Sequence, residues 1–226
     1  MSTDRRLKRI RLEAFARSLL AIVILALGVR LTYVLWGKGG ECVVTNPESG
    51  EIISSPTDCL NGPAGRPNDA TYYNAAANLL ARGGGMVEPF RPERDAADHP
   101  PLTVWVLTPV SWIGDHVVPA AVLDDLTNAF LHRLTMAVLG TAVVGVVGLI
   151  GRRLGGERVG LLAALFAAVY PGLWINDALV FAETPTNLAV VLTMFVALRA
   201  RDRPTPARLT LVGFGIGMSA LGRAVM

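Results

Sequence analysis

The chain has 226 residues, of which 52% are hydrophobic and 17% are charged, and its mean hydropathy is +0.45. A soluble domain typically carries about 25% charged residues, and the apolar residues here are gathered into long runs, so the composition indicates a membrane protein. The net charge of only +3 and the lack of a basic stripe with interleaved aromatic residues argue against a nucleic-acid partner.

The first apolar run, residues 18–36, follows a basic segment at residues 1–17. A signal peptide has the same order of a basic and then an apolar segment, but this run continues to Trp36 without an A-x-A cleavage site. We therefore predict an uncleaved transmembrane helix whose basic N-terminus is cytoplasmic. Arg30 near its end would either reach the lipid head groups, which we favour, or face the protein interior.

Residues 37–129 contain the largest polar segment of the sequence. Gly, Pro, Asn and Ser are frequent in residues 37–68, which predicts a loop. A short helix is predicted to start near Asp69, an acid that suits a helix N-terminus, and to end at the glycines that begin with Gly83. Cys42 and Cys59 lie in the same loop, either as two thiols or as a disulfide that would contribute about 3 kcal/mol in an oxidising compartment.

A second helix of this segment is predicted to begin at Pro100 or Pro101, because proline suits the first helical turn. It would run through residues 102–114 and be interrupted by Pro109. This length is too short for a span, which needs about 20 residues. We therefore predict an interfacial or re-entrant helix that does not cross the membrane.

Four further apolar runs follow, and two short basic loops, residues 152–158 and 199–208, separate them. If the 102–114 helix does not cross, both basic loops fall on the cytoplasmic side, as the positive-inside tendency requires. The predicted fold is an all-α polytopic protein of the plasma (inner) membrane, with interfacial helices in a long first extracytoplasmic loop, residues 37–129. The five predicted spans are residues 18–36, 130–151, 159–176, 185–198 and 207–226.

Three acids, Asp69, Asp98 and Glu183, each precede or begin a predicted helix on the outer side. Each one alone is most often a cap for free backbone N–H groups. Taken together they suggest a pocket, because several helix N-termini facing one another would bind a phosphate group. Acids at the same place could act as a base or hold a divalent cation, with Asp98 and Glu183 as its ligands.

Other polar residues extend this candidate site. Tyr72 and Tyr73 share a helix face with Asp69, and they would either line a polar pocket or anchor a surface helix at the membrane interface. His99 would contact a phosphate or bond to a loop neighbour. Arg133, near the outer end of the second span, would either reach the head groups or face an internal anionic ligand.

The remaining polar residues are given structural interpretations. Asp177 is expected to be a solvated loop acid, and His132 has no acid or helix start beside it. Glycines within GTAVVGVVGLIG and GFGIG are expected to permit close helix packing. The sequence has no P-loop and no GxGxxG motif after a strand, so it does not support a nucleotide cofactor.

Four segments, NDATYYNAAANLLARGGG, DHPPL, GRRLGGERVGLLAALFAAVYP and AETPTNLAVV, occur in the order found in a known family. Together they make the chain resemble the GT-C polyprenyl-phosphate-sugar glycosyltransferases, most closely the protein-mannosyltransferase and aminoarabinose-transferase branch. The resemblance covers most of the chain and implies that residues 1–226 are the N-terminal part of a larger transmembrane domain. It implies transfer of a sugar from a polyprenyl-phosphate donor to a glycan or protein acceptor on the extracytoplasmic face.

The resemblance also implies roles for single residues. Asp69 matches the acid of the first outer loop, the catalytic base. His99 stands where the family often has Lys and would contact the donor phosphate, beside Asp98. Glu183 matches an acid that is commonly Asp. Many relatives carry a second acid beside the first one, whereas Ala70 follows here, which argues against a paired-carboxylate mechanism.

Two other functions are compatible with the sequence. One is a non-catalytic membrane scaffold, a subunit or a truncated relative that keeps the fold without turnover. The other is a transporter of an anionic lipid or solute, although transporter sites usually lie near the bilayer midplane and the acids here are predicted at one surface.

Overall fold

The structure, a computed structural model, describes residues 3–37, 44–45, 52–53, 69–95, 99–117 and 125–223. Within these ranges the chain is mostly helical, as predicted. Its helices are α1 (Thr3–Thr32, extended by a π-helical turn at Tyr33–Gly37), α2 (Asp69–Ala81), α3 (Pro101–Val117), α4 (Asp125–Val169), α5 (Pro171–Asp177), α6 (Glu183–Asp202) and α7 (Pro206–Gly222). Two short antiparallel hairpins pair β1 (Val44–Thr45) with β2 (Ile52–Ile53) and β3 (Val87–Glu88) with β4 (Arg91–Asp95).

Two of the described helices are long and apolar enough to cross a membrane, Ile10–Trp36 and Asn128–Val169. Only 17% of the most apolar window of the first one is buried inside the protein. Leu20 and Ile24 on α1, for example, are 58% and 61% exposed. This helix therefore presents most of its apolar surface outward, unlike the core helix of a soluble protein.

The long helix α4 reverses direction at Gly156, whose φ of +86° is unfavourable for residues with a Cβ atom. In a straight helix, residues 148 and 164 would be about 24 Å apart. Instead, a Cβ built on Gly148 would lie 3.1 Å from the Cβ of Ala164, and one on Gly151 would lie 3.0 Å from the Cα of Gly160. The predicted close packing is confirmed at these two glycines of GTAVVGVVGLIG, but in GFGIG it is wrong for Gly213 and Gly217, where a Cβ would meet nothing within 4 Å. The helix therefore forms two antiparallel arms, residues 125–155 and 157–169.

Basic residues from separate segments meet at one end of the molecule, which we call the basic end. The guanidinium of Arg152 lies 4.3 Å from the ring centroid of Phe15 in α1. Arg153 forms an ion pair with Asp202 at the end of α6 and donates a hydrogen bond to the carbonyl of Leu198. The part of α1 around Phe15, the turn of α4 and the end of α6 are thus adjacent.

The opposite end, which we call the polar end, is built by α2, by the starts of α3 and α6, and by the end of α7. A core of buried apolar residues joins α2, α3 and the first arm of α4, and Tyr73, Leu107 and Met136 are among them. Helix α2 ends as predicted, with Gly83 at a φ of +83° and the N–H of Gly84 donating to the carbonyl of Leu79.

Helix α3 is continuous through Pro109, so the predicted interruption is wrong. Proline removes one backbone hydrogen bond from a helix interior. The helix nevertheless packs its buried residues, including Leu107 and Ser111, against α2 and α4, and this packing holds its course. Its 17 residues correspond to a helix about 25 Å long.

The predicted third apolar run, residues 159–176, is two helices and not one. The second arm of α4 ends at Val169, Tyr170 is extended with a ψ of 116°, and α5 begins at Pro171. Pro171 has no N–H to continue the helical hydrogen bonds, which explains the break. Proline also lies in the first turn of α6, at Pro185, two residues after the helix begins.

Candidate functional site at the polar end

Asp69 and His99 meet at the polar end although 29 residues separate their positions in the sequence. The Nε2 atom of His99 lies 3.4 Å from an Oδ1 oxygen of Asp69. The Asp69 side chain is 67% exposed and the His99 side chain is 28% exposed. Asp69 is therefore open to solvent or a substrate, whereas His99 is largely held within the protein.

Two tyrosines of α2 hold the ring of His99. Tyr72 stacks on it with ring centroids 3.8 Å apart, and Tyr73 meets it edge-on at 5.6 Å. Both tyrosines are buried, at 4% and 1% exposure. They are therefore part of the buried core and are not surface anchors of an exposed helix. Their role in lining a pocket stays a prediction. Nδ1 of His99 is shielded from solvent and has no hydrogen-bond partner among the described residues.

Glu183 belongs to the same site. Burial raises the pKa of the Tyr73 hydroxyl above its usual value, and the nearby charges of Asp69, Glu183 and then Tyr72 raise it further. Phe181 and Ala182, which immediately precede Glu183, pack against the buried cluster that contains Tyr72 and Tyr73, so the start of α6 lies beside α2. The Tyr73 hydroxyl remains a hydrogen-bond donor at neutral pH. Asp69 and Glu183, 114 positions apart in the sequence, converge at this end.

Arg223 is a site residue that the sequence analysis missed. Its guanidinium lies 3.9 Å from the Glu183 carboxylate, and its side chain is 65% exposed. The signal was available, because the predicted span 207–226 was placed with its C-terminal end on the outer side. A lone arginine at that end of an apolar run has no recognisable motif, however.

An apolar cavity of about 400 Å³ opens beside these residues, between α3, α4, α6 and α7. Leu102, three residues after His99, and Pro185, two residues after Glu183, line this cavity. Leu139, Phe214 and Met218 line it as well. The lining is almost entirely apolar. Such a cavity suits a hydrocarbon chain and not a polar solute.

Two polar residues predicted to be at the surface are buried together. Arg30 is fully buried and donates from Nε to Oδ2 of Asp177 at 2.6 Å, and Thr184 donates to Oδ1 at 2.8 Å. The expectations of a head-group-reaching Arg30 and a solvated Asp177 are therefore wrong. Gly140 leaves the space for the carboxylate, since a Cβ there would overlap it. An intramembrane charge pairs internally when a partner is available.

A second buried network includes His132, for which the sequence suggested no role. Its Nδ1 lies 2.7 Å from Oδ1 of Asn74, and its Nε2 lies 2.9 Å from Oγ of Ser111. An amide oxygen only accepts, so Nδ1 carries the proton and Nε2 accepts from the serine hydroxyl. Both Ser111 and His132 are fully buried. The network therefore ties α2, α3 and α4 together and offers no access to a substrate.

A surface ion pair lies next to this network. Arg82 donates to both carboxylate oxygens of Asp115 at 2.9 and 3.2 Å, and Asn128 donates to the same carboxylate. The Arg82 and Asn128 hydrogen bonds hold the pKa of Asp115 below its usual value, although partial burial opposes them. These bonds fix the end of α2 to α3 and α4.

The remaining predicted site residues divide into two groups. Arg133 is 8% exposed, so it faces the protein interior and does not extend to solvent. Asp98, Cys42 and Cys59 lie outside the described residues, and the metal-ligand and disulfide predictions that depend on them stay predictions. Among the described residues, no group of three or more His, Cys, Asp or Glu side chains is arranged to hold a metal ion.

Comparison of the chain with models of protein families, with curated proteins and with solved structures finds no match. The functional assignment therefore rests on the geometry of the polar end and on the motif resemblance.

Proposed function

We propose that the chain is a membrane glycosyltransferase that transfers a sugar from a polyprenyl-phosphate donor to an acceptor hydroxyl on the extracytoplasmic face. One observation carries the proposal: Asp69 and His99 are in contact, and the segments that follow His99 and Glu183 both line one apolar cavity, at Leu102 and Pro185. An exposed carboxylate, a held imidazole and a hydrocarbon-sized cavity are the parts that a lipid-linked phosphate ester requires.

The proposed topology has five crossings, made by α1, the first arm of α4, the second arm of α4 together with α5, and then α6 and α7. The contact of Arg153 with Asp202 at the end of α6 supports it, because it brings the two short basic loops, residues 152–158 and 199–208, to the same end. The positive-inside tendency assigns that end to the cytoplasm. The polar end, with α2 and the short helix α3, then lies on the extracytoplasmic side of the plasma (inner) membrane.

In this proposal the lipid tail of the donor occupies the apolar cavity, and its phosphate lies at the polar end near His99. Leu102, which lines the cavity, follows His99 by three residues, so the tail and the phosphate are held by one short segment. The His99 side chain keeps 28% of its surface exposed beside Asp69, and a ligand oxygen would approach it from this exposed side. Tyr72 and Tyr73 keep the imidazole from turning away.

The transfer step uses Asp69 as the base. Its carboxylate accepts the proton of the acceptor hydroxyl while the hydroxyl oxygen forms a bond to the anomeric carbon of the sugar. The bond from that carbon to the phosphate oxygen breaks, and the polyprenyl phosphate leaves with the electron pair. A single displacement of this kind inverts the anomeric configuration. His99 stabilises the charge that develops on the departing phosphate.

The metal proposal has one described ligand, Glu183, because Asp98 lies outside the described residues. The described neighbour of the Glu183 carboxylate is the Arg223 guanidinium at 3.9 Å, a cation that would compete with a metal ion. The displacement described above therefore uses only side chains of this chain.

The proposal is tested with the purified protein in lipid vesicles, supplied with polyprenyl-phosphate sugars and assayed for loss of sugar from the donor. Asp69→Asn keeps the side-chain shape and removes the proton acceptor, so we expect turnover to fall by about 100-fold or more. Asp95→Asn is the matched control, because Asp95 is an exposed acid in the same polar segment and should leave turnover unchanged.

Two results would contradict the proposal. One is a wild-type protein that binds no lipid-linked sugar and releases none. The other is an Asp69→Asn variant that turns over at the wild-type rate. A scaffold would give the first result, and a transporter would move the lipid or solute across the vesicle membrane without cleaving the sugar bond.

A further inference from the structure

A second cavity, of about 530 Å³, lies at the basic end, between the turn of α4 and the end of α6. Arg153 and Leu154 line it from α4, and Leu198, Arg201 and Asp202 line it from α6. Its lining is mostly polar, in contrast to the apolar cavity beside the polar end. Its volume lies within the range of about 300–1,000 Å³ that is usual for ligand sites.

The acid in this lining is already paired, whereas one of the two arginines is not. Arg153 forms an ion pair with Asp202 and donates a hydrogen bond to the carbonyl of Leu198 at 3.2 Å. These contacts fix one guanidinium against α6 and neutralise the carboxylate. The guanidinium of Arg201 has no ion-pair or hydrogen-bond partner within the part of the chain that the structure describes. The cavity therefore presents an unneutralised cation.

The surrounding loops add to this positive charge. Residues 152–158 and 199–208 together contain seven arginines and two acids, which leaves a net charge of +5. Both acids pair with arginines of these loops, Asp202 with Arg153 and Glu157 with Arg152 at 3.3 Å. No carboxylate of either loop is therefore left to pair with Arg201, and the cavity attracts an anion from outside the chain.

An apolar stripe leads away from the cavity along α6. Leu198, which lines the cavity, shares a helix face with Met194 and Val190, because the three are spaced by four residues. We call these three residues the α6 stripe. Met194 and Val190 are 46% and 48% exposed, and a different face of α6, with Ala189 and Val196, lines the apolar cavity beside α7. A hydrocarbon chain can thus lie along the stripe while its polar end reaches Arg201.

We propose that the cavity at the basic end binds the phosphate head group of an anionic phospholipid, with Arg201 as the phosphate ligand and an acyl chain along the α6 stripe. A guanidinium matches phosphate oxygens with two parallel N–H donors. Basic pockets between membrane helices on the cytoplasmic side bind lipid head groups of this kind. A free phosphate ion would use the cation alone, whereas the adjoining stripe suits an amphiphile. The inference rests on the proposed membrane topology and is independent of the proposed sugar transfer.

The test titrates the delipidated protein in detergent micelles with phosphatidylglycerol or with phosphatidylcholine of the same acyl chains, and counts bound lipid by native mass spectrometry. Wild type should bind the anionic lipid more tightly, since the choline cation is repelled by the arginines. Arg201→Gln should lose about tenfold in affinity for phosphatidylglycerol, the loss expected for one charge-assisted hydrogen bond. Arg201→Lys should recover part of it, because the charge is kept and the fork geometry is lost. Met194→Gln should weaken both lipids, because it makes the stripe polar.

Arg158→Gln is the matched control, because Arg158 is an exposed arginine of the same end that does not line the cavity. It removes the same charge and should leave the affinity for phosphatidylglycerol nearly unchanged. Equal losses in Arg158→Gln and Arg201→Gln would show attraction by overall charge and overturn the inference.

Glycerol 3-phosphate, a soluble form of the head group, should compete only weakly with the lipid. Binding of this compound as tightly as the lipid would show a site for free phosphate compounds and overturn the inference. A wild type without preference for phosphatidylglycerol would overturn it too. Neither result changes the outcome of the sugar-loss assay with Asp69→Asn, so the inference and the proposed function fail separately.

Discussion

Because Arg30 and Asp177 form a buried ion pair, we predict that removing either partner destabilises the protein but that only one of the two losses depends on pH. Arg30 is fully buried and Asp177 is 3% exposed, so neither charge is screened by water when its partner is removed. Asp177→Asn leaves a buried guanidinium, which cannot lose its proton at any practical pH. Arg30→Met leaves a buried carboxyl, which can take up a proton and become neutral.

The two costs can be estimated separately. Removing one partner of a buried ion pair costs about 3–5 kcal/mol, and for Asp177→Asn this loss should be the same at pH 7 and pH 5. In Arg30→Met the Asp177 carboxyl becomes protonated in the folded state, whereas its unfolded pKa is about 3.9. The free energy of this protonation is about 4 kcal/mol at pH 7 and about 1.5 kcal/mol at pH 5, and it is the expected loss of stability. The folded state then binds the extra proton, so stability falls as pH rises.

The free energy of unfolding is measured by denaturant titration in detergent micelles, with tryptophan fluorescence as the signal, at pH 5, 6 and 7. Each variant is compared with wild type at the same pH. We expect Arg30→Met to regain about 3 kcal/mol between pH 7 and pH 5, at 1.36 kcal/mol per unit, and Asp177→Asn to regain nothing. The same pH dependence in both variants would refute the ion pair as the reason for the burial of these two residues.

Two further predictions concern other contacts. Because Arg82 and Asn128 lower the folded pKa of Asp115, its contribution to stability is present above the unfolded pKa of about 4 and is lost as pH falls through the lower folded pKa. Asp115→Asn should therefore reduce the loss of melting temperature between pH 5 and pH 2.5, and an unchanged acid slope would contradict this. Gly151→Val should destabilise the protein by about 1–3 kcal/mol, because a Cβ there meets the backbone of the opposite arm of α4. Gly217→Val, where a Cβ meets nothing within 4 Å, is the control, and equal losses in the two variants would argue against close packing of the arms.

The helices could be predicted from the sequence because their signals are local. Apolar runs, prolines at helix starts and the glycines after Leu80 all act on neighbouring residues, and they gave the order of the elements. The two wrong predictions for helices both concern a proline inside an apolar run. Pro109 was expected to interrupt α3, but tertiary packing of one face overrides the lost hydrogen bond. Pro171, within a predicted span, does break the helix, because it has no N–H for the helical hydrogen bond and because the residue before a proline, here Tyr170, favours an extended backbone.

The candidate site was predicted only in part, because long-range pairing leaves no pattern in a single sequence. Asp69 and His99 were singled out by their motifs, and the structure brings them together. Arg30 and Asp177 were each assigned to the surface on their local setting, and neither setting reveals that the other residue lies opposite. Arg223 was missed for the same reason, since its role depends on where the end of α7 meets the start of α6.

The prolines at the helix starts limit the number of main-chain N–H groups that could bind an anion at the polar end. A helix N-terminus ordinarily offers four unpaired N–H groups, but Pro100 and Pro101 at the start of α3 have none, and Pro185 removes another from the first turn of α6. The starts of α3 and α6 therefore offer fewer main-chain N–H groups to an anion, and affinity there would depend more on side-chain charge. Recognition of that kind weakens with ionic strength. It can also be lost through a single substitution, whereas a backbone amide persists through almost every replacement.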